Sequence, residues 1–182
     1  MTTKTWSIDA AHSSIAFSIR HMVVSKVRGR FTKLTGTLSI DDDDLTRSAV
    51  EATIDASSID TGTPDRDAHL RAPDFFDVAR FPELRFRSTR IEALGDGRYR
   101  VVGELTIRDV TREVELEAEY GGRGKDPWGN ERVGFVARTA IDRKDFGLEW
   151  NQALETGGVL VGQRVDIELD VQGVGTAAAN AA

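Results

Sequence analysis

The chain has 182 residues, of which 40% are hydrophobic and 30% charged, so it can bury the core of one globular domain. Its 24 Lys and Arg residues against 30 Asp and Glu residues give a net charge of -6, which disfavours electrostatic binding to nucleic acid or to an anionic membrane. The absence of cysteine excludes disulfides, thiolate metal sites and cysteine nucleophiles.

The first fourteen residues, MTTKTWSIDAAHSS, lack the basic stretch and apolar run of a secretory signal. No later segment approaches the roughly 20 apolar residues of a membrane-spanning helix. With the sequence taken as complete, both observations predict a soluble protein of the cytoplasm.

The first strand pattern is HSSIAFSIRHM, in which Ile15, Phe17, Ile19 and His21 share one face and polar residues share the other. The same alternation recurs three times further along the chain, in Val50, Ala52 and Ile54, in Val133, Phe135 and Ala137, and in Val165, Ile167, Leu169 and Val171. One polar face in every strand is typical of antiparallel sheets with a single buried side. The sequence therefore predicts an all-β fold.

The alternation stops between residues 63 and 82. Thr63 followed by Pro64 predicts an N-cap and first helical residue, and Pro73 forces Ala72 out of the helical conformation, so we expect a short helix over 64–71. The connector that follows, PDFFDVARFP, has no strand period, which favours an aromatic flap across one end of the sheet structure.

A catalytic alternative for this insertion would use Asp67 and His69. Residues two apart on a helix do not face each other, so this pair is disfavoured as an acid-base site.

The segment YRVVGELTIRDVTREVELEAEY predicts its own hairpin register. A two-residue turn at Arg108 and Asp109 sets Leu105 opposite Arg112 and Val101 opposite Leu116 on an inner face. On the outer face it sets Arg100 against Glu117 and Arg98 against Glu119. Because Arg112 falls on the apolar face, we expect it near an opening of the fold.

Seven segments resemble the YceI-like family, in order and at the family's intervals, and together they span about Trp6 to Val171. They are WSIDAAHSSIAFSIRHM, VRGRF, ASSIDTG, RDAHLRAPDFFDVARFPELRFRST, GELTIRDVT, GFVARTAIDRKDFGLEWN and GGVLVGQRVDIELDV.

The resemblance implies an antiparallel eight-stranded lipocalin-like barrel with a helical insertion around residues 64–71. It also implies an apolar tunnel for a long-chain isoprenoid or a related amphiphilic lipid, and a homodimer. The sequence departs from the family at Asp109, where glycine is usual; Asp tolerates a left-handed turn better than most residues, so the hairpin is expected to survive.

Metal binding is disfavoured, because His12 and His21 point to opposite faces of a regular strand and His69 lies on the insertion. No motif indicates a cofactor. The low-complexity tail, residues 175–182, is predicted to be disordered, which leaves residues 1–174 as one barrel domain.

The sequence thus predicts a lipid-binding protein without catalysis that makes at most transient membrane contact, for carriage, storage or sequestration. Two alternatives stay open: an enzyme that acts on a lipophilic substrate in the same pocket, and a stress-response structural module with a filled core. The predicted ligand-binding residues are Phe17, Ile19, His21, Phe31, Leu38, Ile54, Phe75, Phe76, Phe86, Leu105, Arg112, Leu116, Phe135 and Ile167. His21 and Arg112 each have a structural interpretation besides a contact with a ligand head group.

Overall fold

The structure, a computed structural model, describes residues 3–155 and 158–175, and these ranges contain eleven β-strands and one α-helix. The strands are β1 (Thr3–Ile8), β2 (Ser14–His21), β3 (Ser25–Phe31), β4 (Leu34–Asp41), β5 (Ala49–Asp55), β6 (Ile59–Asp60), β7 (Glu83–Gly95), β8 (Arg98–Ile107), β9 (Val110–Lys125), β10 (Glu131–Asp142) and β11 (Val161–Gly175). The helix is α1 (Pro64–Arg71), between β6 and β7.

The sheet closes because β1 pairs with both β4 and β11, and all described pairings are antiparallel. A 3-10 turn at Ala10–His12 separates β1 from β2, and both of these strands pair with β11. Residues 32–33 separate β3 from β4, which pair with β2 and β1. β5 and the two-residue β6, separated by the 3-10 turn Ala56–Ser58, likewise pair with β4 and β3. Counting each of these three bent strands once, the described residues form a closed eight-stranded barrel, as predicted.

Because neighbouring strands are antiparallel, their connections alternate between the two ends of the barrel. Four connections meet at one end: the hairpin tip 22–24, the insertion 61–82, the turn 108–109 and the segment 143–160. We call this the insertion end. A cluster of Trp6, Leu38, Ile40 and Val133 packs towards the opposite end.

The insertion has the predicted helix bounds. Thr63 occupies the N-cap position, but its side chain makes no capping hydrogen bond, contrary to its expected role. The connector after α1 is irregular: Phe75 and Asp77 N–H donate to the carbonyl of Ala72, and Phe76 N–H donates to that of Leu70.

The predicted register of the β8–β9 hairpin is confirmed, since Ile107 opposes Val110 and Leu105 opposes Arg112. The turn differs in one detail. Arg108, with φ of 57°, is the residue in the left-handed region, and Asp109 is not. The Arg108 guanidinium packs over the ring of Phe81, 5.7 Å from its centroid, which ties the turn to the insertion.

The outer-face ion pairs of this hairpin are diagonal, although Arg100 and Glu117 are directly opposite. Arg98 lies 3.4 Å from Glu117, and Arg100 lies 3.7 Å from Glu115. Long side chains reach diagonal neighbours in a twisted antiparallel sheet, so the strand register does not fix the ion-pair partners.

The predicted tail begins one residue too early, because Gly175 pairs with Trp6 as the last residue of β11. Residues 176–182 lie outside the described residues. Within the described ranges, no helix is long and apolar enough to cross a membrane.

Candidate functional site

The barrel encloses a cavity of about 400 Å³ whose wall is almost wholly apolar. Inward-facing side chains from opposite sides of the closed sheet supply this wall, because period-two alternation places every second residue inside. A volume of this size lies within the roughly 300–1,000 Å³ typical of small-molecule sites.

Thirteen of the fourteen predicted ligand-binding residues line this cavity. They are Phe17, Ile19, His21, Phe31, Leu38, Ile54, Phe75, Phe76, Phe86, Leu105, Leu116, Phe135 and Ile167. Their contact with a ligand is still a prediction, but the structure brings them together on one continuous wall.

Two inner-face glycines make room for aromatic rings of that wall. A Cβ at Gly29 would lie 2.4 Å from the ring of Phe17, and a Cβ at Gly103 would lie 2.5 Å from the ring of Phe86. Both rings therefore lie close against the backbone of the neighbouring strand, where a side chain at either glycine would displace them.

Arg112 is placed differently from expectation, because it is exposed and does not line the cavity. Its Nε donates to the carbonyl of Asp145, 3.1 Å away. It borders a larger hollow of about 1400 Å³, where Arg138 and Glu168 also lie. A charged lining of this kind does not suit an apolar ligand.

The two phenylalanines of the flap occupy different places at the cavity. Phe75 is buried in an aromatic group with His69 and Trp150, whose ring centroids lie 5.1 and 5.4 Å from its own. Phe76 packs edge-on against Phe31, at 5.7 Å, and joins the main hydrophobic cluster of the barrel. Phe75 therefore lies buried at the insertion end of the cavity, and the half-buried Phe76 packs against the main cluster.

Arg143 is a buried cation on the cavity wall that the sequence analysis did not select. Its Nη1 donates to the carbonyls of Leu148 and Trp150 at 2.6 and 2.9 Å, and its Nε donates to that of Gly162 at 2.7 Å. Burial lowers the pKa of this guanidinium, and the Asp142 carboxylate partly offsets that effect. Arg143 thus fixes the segment 143–160 against the barrel.

Apart from hydroxyl groups, the polar side chains of the wall are guanidiniums, imidazoles and one indole. Arg66 donates from Nε to the hydroxyl of Thr61 at 2.7 Å and from Nη2 to its carbonyl at 2.9 Å. His69 is hydrogen-bonded to Asp74 at 2.9 Å. Among the described residues that line the cavity, there is no Asp or Glu.

Asp67 of the catalytic alternative and His12, which was weighed for metal binding, have separate partners. Asp67 is buried and accepts hydrogen bonds from the N–H and hydroxyl of Thr61. His12 is exposed and is bound to Asp9, away from the cavity. In residues 3–155 and 158–175, no group of three or more His, Cys, Asp or Glu side chains could hold a metal ion.

Sequence reasoning missed Arg143, Trp150, Arg66 and His69 as wall residues. Arg143 follows a regular strand, and nothing in the sequence around it indicates that it is buried. Its carbonyl acceptors are brought to it only when the chain folds. Phe146, Leu148 and Trp150 are spaced two apart in an irregular segment, and that spacing was the available signal that this segment packs inward.

Comparison with known proteins places these features in a family. The model of the YceI-like domain matches residues 6–173. A UPF0312 protein of Staphylococcus epidermidis is 39% identical over 168 residues, which cover 92% of this chain and 95% of that protein.

Two solved structures share the fold. BcnA of Burkholderia cenocepacia has a TM-score of 0.80 at 23% identity and covers 91% of this chain and 98% of its own. A polyisoprenoid-binding domain from Saccharophagus degradans, implicated in plant cell wall breakdown, has a TM-score of 0.69 at 17% identity and covers 94% and 98%.

Proposed function

Since this chain belongs to the YceI-like family, we propose that its barrel binds the apolar tail of a long-chain isoprenoid or a related amphiphilic lipid. The single observation that carries the proposal is the apolar cavity of about 400 Å³ inside the closed sheet. The polyisoprenoid-binding domain with the same fold supports this ligand class.

The wall also indicates which head groups would suit the site. Arg143, Arg66 and His69 line the cavity without a carboxylate among the described wall residues. A head group that accepts hydrogen bonds or carries negative charge would therefore meet no charge repulsion there. A cationic head group would have no partner.

Exchange with a bilayer would be reversible. Burial of each methylene is favourable by about 0.8 kcal/mol relative to water, but a bilayer interior is about as apolar as the cavity. The contribution of the tail largely cancels between the two environments. The head-group contacts and the ordering of the chain therefore decide how fully the protein is loaded, which suits carriage, storage or sequestration.

In the enzymatic alternative, His69 is the candidate base, because its imidazole lines the cavity and is oriented by Asp74. A hydrolase or isomerase would need this base beside a reacting group of the lipid. Incubation of the lipid with wild-type protein and with His69→Gln separates the hypotheses, because a binding protein shows no turnover to lose.

The ligand is tested by mass spectrometry of organic extracts of the protein purified from an isoprenoid-producing host. We expect a lipid with a long apolar tail, absent from a mock purification of the same host without this chain. Extracts that lack such a species, together with no binding of a fluorescent prenyl probe, would refute the proposal.

Homodimerisation and a cytoplasmic location are further proposals that rest on the family resemblance and on the sequence pattern. Sedimentation equilibrium tests the first, and cell fractionation tests the second.

A further inference from the structure

The tip of the β2–β3 hairpin is an exposed apolar turn. Met22, Val23 and Val24 are 48, 59 and 86% exposed. Met22 and Val23 also adopt positive φ angles of 54° and 66°, which β-branched residues such as valine rarely adopt. Tight hairpin turns favour Asn-Gly at such positions. Neither burial nor turn geometry explains these three side chains.

The tip lies at the rim of the cavity. The N–H of Met22 donates to the carbonyl of Leu160 at 2.8 Å, and both Leu160 and His21 line the cavity. Val159, the residue before Leu160, is exposed as well. The side chain of Val23 lies beside Gly158. Apolar surface is therefore continuous from the tip to the cavity wall.

Cations flank the tip on the outer face of the same hairpin. Arg20 and Lys26 oppose each other directly below it, and Arg28 follows Lys26; all three are exposed. Arg20 also borders the cavity and donates to the carbonyl of Val23 at 3.4 Å. None of the three makes an ion pair within the described part of the chain. In a protein with a net charge of -6, five Lys and Arg residues and no acid lie between Asp9 and Asp41.

The nearest acids do not cancel this charge. On the adjacent strand β11, Asp166 opposes Ser18 and lies 2.9 Å from Arg164, which neutralises it. Glu155 is exposed in the neighbouring segment. Glu168, further along β11, is also exposed and borders the same hollow as Lys26 and Arg28. The positive charge is therefore an excess on the hairpin itself, where no Asp or Glu lies between Asp9 and Asp41.

We propose that this tip is a membrane-docking site that inserts into an anionic lipid bilayer and holds the cavity rim against it. The inference rests on the proposed function, because docking at the rim is useful to a protein that takes up or releases a membrane lipid. An anionic bilayer fits this site for two reasons. The apolar turn matches the apolar interior of the bilayer, and the cations that flank the turn match its negative head groups.

The negative net charge of the whole molecule does not oppose docking. Exposed charges more than about 10 Å apart are largely screened at ordinary salt concentrations, so the residues closest to the bilayer decide the interaction. Each Lys or Arg held near an anionic surface strengthens binding by about fivefold.

Three variants separate the contributions of the tip and of the cations. Met22→Asn combined with Val23→Gly removes the apolar side chains and introduces the favoured turn residues. Lys26→Gln combined with Arg28→Gln removes two cations. Trp128→Ser is the matched control, because Trp128 is 81% exposed in the β9–β10 loop at the opposite end of the barrel.

Binding is measured by co-sedimentation with vesicles of phosphatidylglycerol and phosphatidylcholine in equal parts, and with vesicles of phosphatidylcholine alone. We expect wild-type protein to bind the anionic vesicles more tightly and to be released by salt. Asn-Gly at the tip should weaken binding about tenfold or more while raising the unfolding temperature, a combination that a merely structural turn cannot give. The two-cation variant should weaken binding to the anionic vesicles by about twenty-five-fold.

Three results would overturn the proposal: no binding of wild-type protein to the anionic vesicles, loss of binding in Trp128→Ser, or unchanged binding of the tip variant. A homodimer that dissociates in the tip variant, with no vesicle binding by wild type, would assign the tip to a second copy of the chain instead.

Binding of a fluorescent prenyl probe without vesicles tests the cavity separately. Failure of that binding refutes the proposed function, whereas vesicle binding reports on docking alone.

Discussion

Individual side chains in this barrel differ in their role according to which face of a strand they occupy. Leu116 lines the cavity, and its sequence neighbour Glu117 is exposed on the outer face within 3.4 Å of Arg98. The two residues share a strand, a local sequence and a hairpin register. They therefore provide a paired test of the inward and outward faces.

Leu116→Glu places an unpartnered carboxylate on the apolar wall, whereas Glu117→Leu removes one exposed ion pair. We expect the first change to lower the free energy of unfolding by about 3 kcal/mol and the second to change it by less than about 1 kcal/mol. Urea denaturation measures both. Equal losses would show that the assignment of faces is wrong.

Arg143 shows the limit of this alternation. It is charged, yet it is buried, because backbone carbonyls of the segment 143–160 and of β11 accept its hydrogen bonds. Leu148 and Trp150 lie in the segment before β11, and Gly162 lies in β11 itself. Burial of this cation is therefore a property of the assembled end of the barrel.

Among the structural elements, the insertion was predicted most fully, but its two phenylalanines have different neighbours. Phe75 contacts His69 and Trp150 at the insertion end, and Phe76 contacts Phe31 within the main cluster. The sequence treated the pair as one lid. In the structure Phe75 is buried in the aromatic group of the insertion end, whereas Phe76 is half-buried against Phe31.

Because Phe75 lies at the insertion end of the cavity, Phe75→Ala should accelerate release of a fluorescent prenyl probe by about tenfold, more than Phe76→Ala does. Truncation of Phe76 leaves a cavity against Phe31 and should cost about 2–4 kcal/mol. Stopped-flow release and thermal unfolding measure the two effects. Phe81→Ala is the control, because Phe81 lies in the same insertion and does not line the cavity.

The lid hypothesis fails if Phe75→Ala releases the probe at the wild-type rate. It also fails if the two truncations have the same effect on release.

Arg132 joins the connection between β1 and β2 to the β9–β10 loop. Arg132 donates to Asp9 at 2.6 Å and to Asp126 at 2.9 Å. Hydrogen bonds from Arg132 and His12 lower the pKa of Asp9 to about 2. Burial raises the pKa of Asp126, but hydrogen bonds from Asn130 and Arg132 outweigh it and bring that pKa to about 2.

Both carboxyls have folded-state pKa values below the ordinary value of 3.8, so their contribution to stability is complete above about pH 4. It is lost as the pH falls from about 4 to about 2. Arg132→Met should lower stability at neutral pH and flatten its decline over this acid range. Urea unfolding at a series of pH values measures the slope, with the exposed Arg138→Met as control; equal slopes in wild type and Arg132→Met would contradict the assignment.

At the scale of the whole molecule, the decisive property is that the barrel is hollow. The filled-core alternative requires side chains to occupy the interior, whereas the described residues surround a cavity of about 400 Å³. Ala137 and Ala118 oppose each other on its wall, so small side chains leave part of this space open.

Ala137→Leu adds volume to the cavity and should weaken binding of a prenyl probe by about tenfold while changing the free energy of unfolding by less than about 1 kcal/mol. A packed core would lose about 1–3 kcal/mol from the same overpacking. Ala140→Leu is the matched control, because Ala140 is exposed on the same strand. A large loss of stability in Ala137→Leu without a change in probe binding would favour the filled core.

The sequence by itself determined the class of fold, the helix bounds, the β8–β9 register and thirteen of the wall residues. These features depend on local rules: strand alternation fixes the face of each side chain, and Pro64 and Pro73 limit the helix. The closed eight-stranded arrangement and the lipid ligand class came from the family resemblance, because alternation alone does not distinguish a hollow barrel from a packed one.

Only the tertiary structure decided where the ends of the strands meet. Closure of β1 on β11 brings the hairpin tip, the flap and the segment 143–160 to one end, although they are far apart in sequence. It buries Arg143, places Arg112 outside the cavity and sets Met22 beside Leu160. These placements depend on contacts between distant segments, and a pattern read over a few neighbouring residues carries no information about them.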